Sequence, residues 1–174
     1  MKLLLTPAAL LLASTALAQA PADPVTSSAT RIYNRTSKNI LAAAQAMPAD
    51  KYSYSPTPTQ WTFGKVISHI AASNGTICGL ISGNAAPATV KVDATAPKDA
   101  LVAGLQASLD FCSAALANLH DAQLGDEITT PRGAKAPRAA MLIELTADLP
   151  DHYSQLAMYM RLNNLLPPSA APKK

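Results

Sequence analysis

The stretch LVAGLQASLDFCSAALANL, residues 101–119, decides the fold class. Leu101, Leu105, Leu109, Cys112, Leu116 and Leu119 recur at steps of 4, 4, 3, 4 and 3. That spacing lines one face of an α-helix. A helix with a single apolar stripe buries it against other elements, so the rest of the chain must supply partners. His120 follows the stripe and is expected in the last turn, facing solvent near the C-terminal carbonyls, with no catalytic role.

Three further helices read from the same periodicity. The first runs from about Ser27 to Ala46, with Ile32, Thr36, Ile40, Ala43 and Met47 on one face. The second runs from about Thr59 to Ser82, striped by Phe63, Val66, Ile67, Ile70, Ile77 and Ile81 and stopped by Gly83. The fourth runs from about Pro137 to Asn163, where Pro is tolerated in the first turn and Asn164 suits a left-handed cap. Its stripe is Met141, Leu145, Asp148, His152, Leu156 and Tyr159. The connections at 48–60, 83–97 and 121–136 hold prolines and small polar residues, with an extended piece expected around Thr89-Val90-Lys91-Val92. The expected fold is an all-α four-helix bundle over residues 27–166, with a flexible arm at 19–26 and a disordered tail at 167–174.

The long link at 83–97 carries topological information. At up to ~3.3 Å per extended residue it reaches the ~33 Å of a helix of about 22 residues. Helices two and three can therefore be parallel, joined by a crossover. In that arrangement Cys78 and Cys112 differ in height by only ~6 Å, so a disulfide and a parallel pair support each other.

Composition narrows the function. The 174 residues are 49% hydrophobic and 14% charged. With 7 glycines there is little material for a phosphate-cradling loop. The formal net charge of +3 is too weak and dispersed to argue for nucleic acid. The start of the chain reads as an export signal over residues 1–18. Met1-Lys2 is positive, Leu3 to Leu12 is mostly apolar, and Ala16-Leu17-Ala18 fits an A-x-A cleavage pattern. The expected mature protein is secreted or periplasmic, and no later segment is read as crossing a membrane. Two cysteines in an oxidising compartment point to the Cys78–Cys112 disulfide, with two buried free thiols as the alternative.

Polar residues on buried faces carry the chemical signal. Asp148 and His152 are four apart, project from one side of helix four, and interrupt its apolar stripe, where polar groups cost most. His69 lies mid-way along helix two. A carboxylate–histidine pair at i, i+4 with a third ligand from a facing helix can hold a divalent cation. Three ligands leave positions for water or substrate. The same residues also suit a helix-surface ion pair and a hydrogen-bonded core histidine, and spacing alone leaves those readings open.

Two segments resemble a known family. Met47-Pro48-Ala49-Asp50-Lys51-Tyr52, Pro56-Thr57-Pro58 and then Phe63-Gly64 to His69 are similar to the start of DinB/YfiT-like proteins. Asp151-His152-Tyr153-Ser154-Gln155-Leu156, then Tyr159 to Asn163 and Pro167-Pro168, resemble that family's last helix. The order and spacing of these motifs cover about residues 25–170. The resemblance implies an up-down-down-up bundle and a divalent metal, commonly zinc or nickel, held by three histidines. His69 matches the first ligand and His152 the last, while Asp148 stands where the family has histidine. Pro150 lies between the two helix-four ligands, removes the bond to the Thr146 carbonyl, and is expected to kink the helix.

The resemblance also implies thiol-dependent transferase or isomerase chemistry, with hydrolysis as the other metal-dependent class. Low-molecular-weight thiols are cytosolic, which conflicts with the export signal. Members of the family often form homodimers through bundle faces, and the low surface charge is compatible with that. The leading expectation is a metal-dependent hydrolase or thiol transferase acting on an unidentified small molecule through His69, Asp148 and His152. The alternative is a non-catalytic exported binding module with a degenerate metal site. Tyr52, Tyr54 and Trp61 suit either a pocket mouth or packing of the connection onto the bundle, and Arg161 reads as an anchor of the C-terminal cap.

Overall fold

The computed structural model describes residues 22–172. The expected leader at 1–18, residues 19–21 of the expected arm and residues 173–174 of the expected tail lie outside the described residues. Four helices form the fold: α1 (Pro24–Ala46), α2 (Phe63–Ser82), α3 (Lys98–Ala117) and α4 (Arg138–Leu162). Their shared core holds Ile40, Ile67, Ile70, Leu105, Leu145 and Leu156, each fully buried. The leucine ladder of α3 is buried throughout, as its spacing requires.

Residue partnerships set the helix directions. Between α2 and α3 they advance together, with Asn74 donating to Ser108 and Cys78 bonded to Cys112, so these helices are parallel. Between α1 and α3 they run oppositely. The Tyr33 hydroxyl donates to the Leu109 carbonyl at 2.6 Å, while the Lys98 ammonium donates to the Gln45 and Met47 carbonyls at 2.7 and 2.8 Å. The lysine places positive charge on the C-terminal carbonyls of α1, where the helix dipole favours it. Between α2 and α4 the order is again opposite, since Ser73 meets Asp148 while Arg138 reaches the Ile81 carbonyl. The bundle is up-down-down-up.

The disulfide joins Cys78 and Cys112 with Cα atoms 5.2 Å apart, and both residues are fully buried. Residues 83–97 form the crossover. Its middle is a 3₁₀ turn at Ala88–Val90, not the extended piece expected there, with Val90 buried against the bundle. Two glycines admit it. A Cβ on Gly64 would lie 2.9 Å from the Ala94 carbonyl oxygen, and one on Gly104 would lie 3.0 Å from that of Thr89. The Ser68 hydroxyl then ties the crossover to α2 by donating to the Val92 carbonyl at 2.6 Å.

Several boundaries differ from the expectations. α1 starts at Pro24, so residues 24–26 of the expected flexible arm are helical, with Thr26 buried. Its first N–H groups, those of Val25 and Thr26, donate to the Asp121 carboxylate at 2.9 and 2.8 Å. That anion at the helix N-terminus replaces a local cap. His120 is outside α3, which ends at Ala117; its Nδ1 lies 2.9 Å from Asp23 Oδ2, and Asp23 also accepts from Asp121 N–H. The 121–136 connection contains an antiparallel pair, β1 (Glu127–Thr129) and β2 (Lys135–Pro137). Residues 167–170 of the expected disordered tail are ordered: Pro167 is buried, Pro168–Ala170 is a 3₁₀ turn, and Ser169 N–H donates to the Tyr153 hydroxyl at 2.8 Å. Asn164 does adopt the left-handed conformation, at φ 59°.

By length and composition α3 could cross a bilayer, with a mean hydropathy of 1.5, contrary to the expectation that no such segment follows the leader. It is a core helix of the bundle, with its leucines packed inside. Pro150 lies inside α4, which continues to Leu162 with Leu149 and His152 buried on either side of it.

Candidate metal centre

His69 on α2 and the pair Asp148 and His152 on α4 meet between the two antiparallel helices. One ligand atom from each lies within 4.8 Å of the other two. The His69 and His152 rings stand edge to face, centroids 4.9 Å apart. The four-residue spacing keeps Asp148 and His152 together across Pro150, with Asp148 Oδ1 and His152 Nε2 3.3 Å apart. His69 is half-buried and His152 is buried at 6% exposure.

Two residues fix these ligands, and the sequence reading singled out neither. Gln155, one turn after His152, places Oε1 3.2 Å from His152 Nδ1. Ser73, one turn after His69, donates its hydroxyl to Asp148 Oδ2 at 3.3 Å. Each is a helix neighbour at i+3 or i+4 of a ligand, which is the signal that could have found them. Trp61 settles its two readings in favour of the site, with its ring centroid 4.8 Å from that of His69. Tyr52 packs the connection instead, buried and donating to the Ala44 carbonyl at 2.7 Å. Tyr54 also packs, edge-on to Tyr159.

The donor set fits a divalent cation. With Gln155 Oε1 accepting, His152 Nδ1 carries the proton and Nε2 presents a lone pair. Nε2 is buried, and among the described residues it makes no hydrogen bond, despite its approach to Asp148. A neutral imidazole there turns a lone pair toward a carboxylate oxygen, an arrangement relieved by a shared cation or by a proton on Nε2. Two imidazoles and one carboxylate suit first-row divalent ions better than the all-oxygen preference of magnesium or calcium.

Electrostatics follow from the same geometry. The Asp148 carboxylate holds the His152 imidazole above its ordinary pKa, against desolvation. His152 in turn holds Asp148 below the usual carboxylate range. Burial pushes His69 down, helped by neighbouring His152 and Lys65 and opposed by Asp148.

A bundle of this order, with a His/Asp/His group that could hold a metal between its second and fourth helices, defines a class of protein. The family model of the DinB superfamily matches residues 32–156, and the chain belongs to that superfamily. It is similar to the structure of a DinB-like protein from Bacillus cereus, with TM-score 0.68 and 18% identity over 82% of this chain and 95% of that one. A DinB-like protein from Bacillus subtilis gives TM-score 0.64 and 23% identity, covering 79% and 92% respectively. A variant of a mycothiol-dependent maleylpyruvate isomerase gives TM-score 0.61 and 16% identity, over 75% of this chain and 60% of the isomerase. At such identities the likeness is one of fold. Comparison with curated proteins finds no match.

Proposed function

We propose that this chain is a divalent-metal-dependent enzyme that works outside the cytoplasm on a small molecule, with His69, Asp148 and His152 as ligands and zinc or nickel as the ion. The observation that carries the reading is the buried, hydrogen-bond-orphaned Nε2 of His152 facing Asp148 beside His69. When bound, the ion supplies a Lewis acid and a positive charge to the site. The chain's own groups prepare that site. Gln155 orients the His152 ring and fixes its tautomer, Ser73 orients Asp148, and Trp61 covers His69 from solvent. The Tyr159 hydroxyl donates to the Trp61 carbonyl at 2.8 Å and holds that cover in place.

Of the two reaction classes, the leader pattern and the disulfide favour hydrolysis, because low-molecular-weight thiols are cytosolic. The likeness to a mycothiol-dependent isomerase supports the thiol reading. Homodimer formation is part of the proposal, with no role for nucleic acid. The Asp148–His152 contact supports one competing reading, a metal-free binding module in which carboxylate and imidazolium neutralise each other.

Metal analysis of tag-free protein from an exported preparation separates the two. The enzyme reading expects one ion per chain, a melting temperature lowered by chelator, and loss of both properties in His69→Ala. Metal-free protein whose melting ignores chelator favours the binding module.

A further inference from the structure

A cavity lies beside the candidate metal ligands. It has a volume of about 280 Å³ and opens onto His152. Trp61, Met158 and Tyr159 form its apolar walls, and Trp61 and Met158 remain 45% and 41% exposed. No lysine, arginine or carboxylate is among its lining residues. Its polar groups are already partly committed. The Tyr159 hydroxyl donates to the Trp61 carbonyl, Gln155 Oε1 accepts from His152 Nδ1–H, and Gln60 Oε1 accepts from the Thr57 hydroxyl at 3.1 Å. Both glutamines therefore keep their amide N–H₂ groups as donors toward a ligand acceptor.

A wall of one indole, one thioether and one phenol binds a flat apolar body well, through stacking and sulfur–aromatic contact. Positive charge stands at its edge, with the Lys65 ammonium 5.7 Å from the Trp61 ring centroid, and an ion bound by His152 would add more, so the ring and not the charge of a ligand is what these walls select. The volume lies at the low end of ligand pockets, which run from ~300 Å³ upward. We infer that the pocket selects a small flat aromatic compound bearing a carbonyl-type acceptor, such as an aryl amide or ester. This rests on the metal-enzyme reading for its chemistry, not for binding.

Trp61 is the chain's one tryptophan, so its emission reports on this cavity directly. The protein as purified is titrated with benzamide and acetamide, and its metal content is measured in parallel. Benzamide should bind about tenfold or more tighter than acetamide, from burial of its ring. Met158→Ala should weaken benzamide severalfold and leave acetamide unchanged, with an unchanged circular dichroism spectrum. Equal affinity for benzamide and acetamide, or no change in emission with either probe, would overturn the inference. A ring preference in metal-free protein keeps it and sinks the metal reading instead. Full metal content without a ring preference does the reverse.

Discussion

Breaking the Cys78–Cys112 bond should cost this bundle a large share of its stability. The bond closes a loop with a sequence separation of 34, so it removes loop-closure entropy from the unfolded chain. For a loop of that size the chain-entropy relation gives about 4 kcal/mol at 25 °C. Single domains have only ~5–15 kcal/mol in total. The bond also lies between two parallel helices whose only other covalent link is the crossover. The assay is urea unfolding of oxidised protein, of protein reduced with a phosphine, and of a Cys78→Ala/Cys112→Ala variant. Chelator is present in every arm, so that metal contributes nothing. At a denaturant slope of ~2 kcal/mol per molar, the midpoint should fall by about 2 M. Thiol titration of unfolded, unreduced protein should find no free thiol. Superimposable oxidised and reduced curves, or two titratable thiols in protein from an oxidising compartment, would refute the reasoning.

Gln155→Leu should reduce metal affinity by about 10–100-fold, the usual cost of losing a histidine's orienting partner. Competition with a chromogenic chelator measures it, and unchanged affinity removes Gln155 from the site. The Asp148–His152 pair also sets a pH window for the metal-free protein. His152 is raised, chiefly by Asp148, so its contribution is complete below about pH 6.5 and is lost as pH rises through its folded value. Asp148 is lowered, chiefly by His152, so its contribution is present above about pH 4 and is lost as pH falls through its folded value. His69 is lowered by burial and opposes His152, contributing above about pH 6.5 and losing that in acid. Asp148→Asn should therefore lower the urea midpoint most between about pH 4 and 6.5. A deficit that is flat from acid to alkaline pH contradicts the pairing.

The sequence was most readable where one helix face repeats without interruption. The α3 ladder was of that kind, and the fifteen-residue link together with two cysteines was enough to argue parallel helices. The start of α1 was hidden because its cap comes from Asp121, on the far side of the chain order. The β1–β2 pair was hidden because each strand has three residues and Ile128 alone is buried, too little for a periodic signal. In the candidate metal centre, the Asp148–His152 spacing stood out as polar groups on an apolar stripe. Their meeting with His69 depends on the antiparallel register of α2 and α4, which no local pattern encodes. Trp61 lies in a proline-rich connection outside any helix, so only the folded chain brings its ring onto His69.

Anomalous diffraction from crystals grown without added chelator, recorded on both sides of the zinc and nickel absorption edges, tests the central claim most directly. The account predicts one strong edge-dependent peak, bonded to a nitrogen of each of His69 and His152 and to an oxygen of Asp148. A map with no such peak there, with Asp148 and His152 contacting only each other, would contradict it.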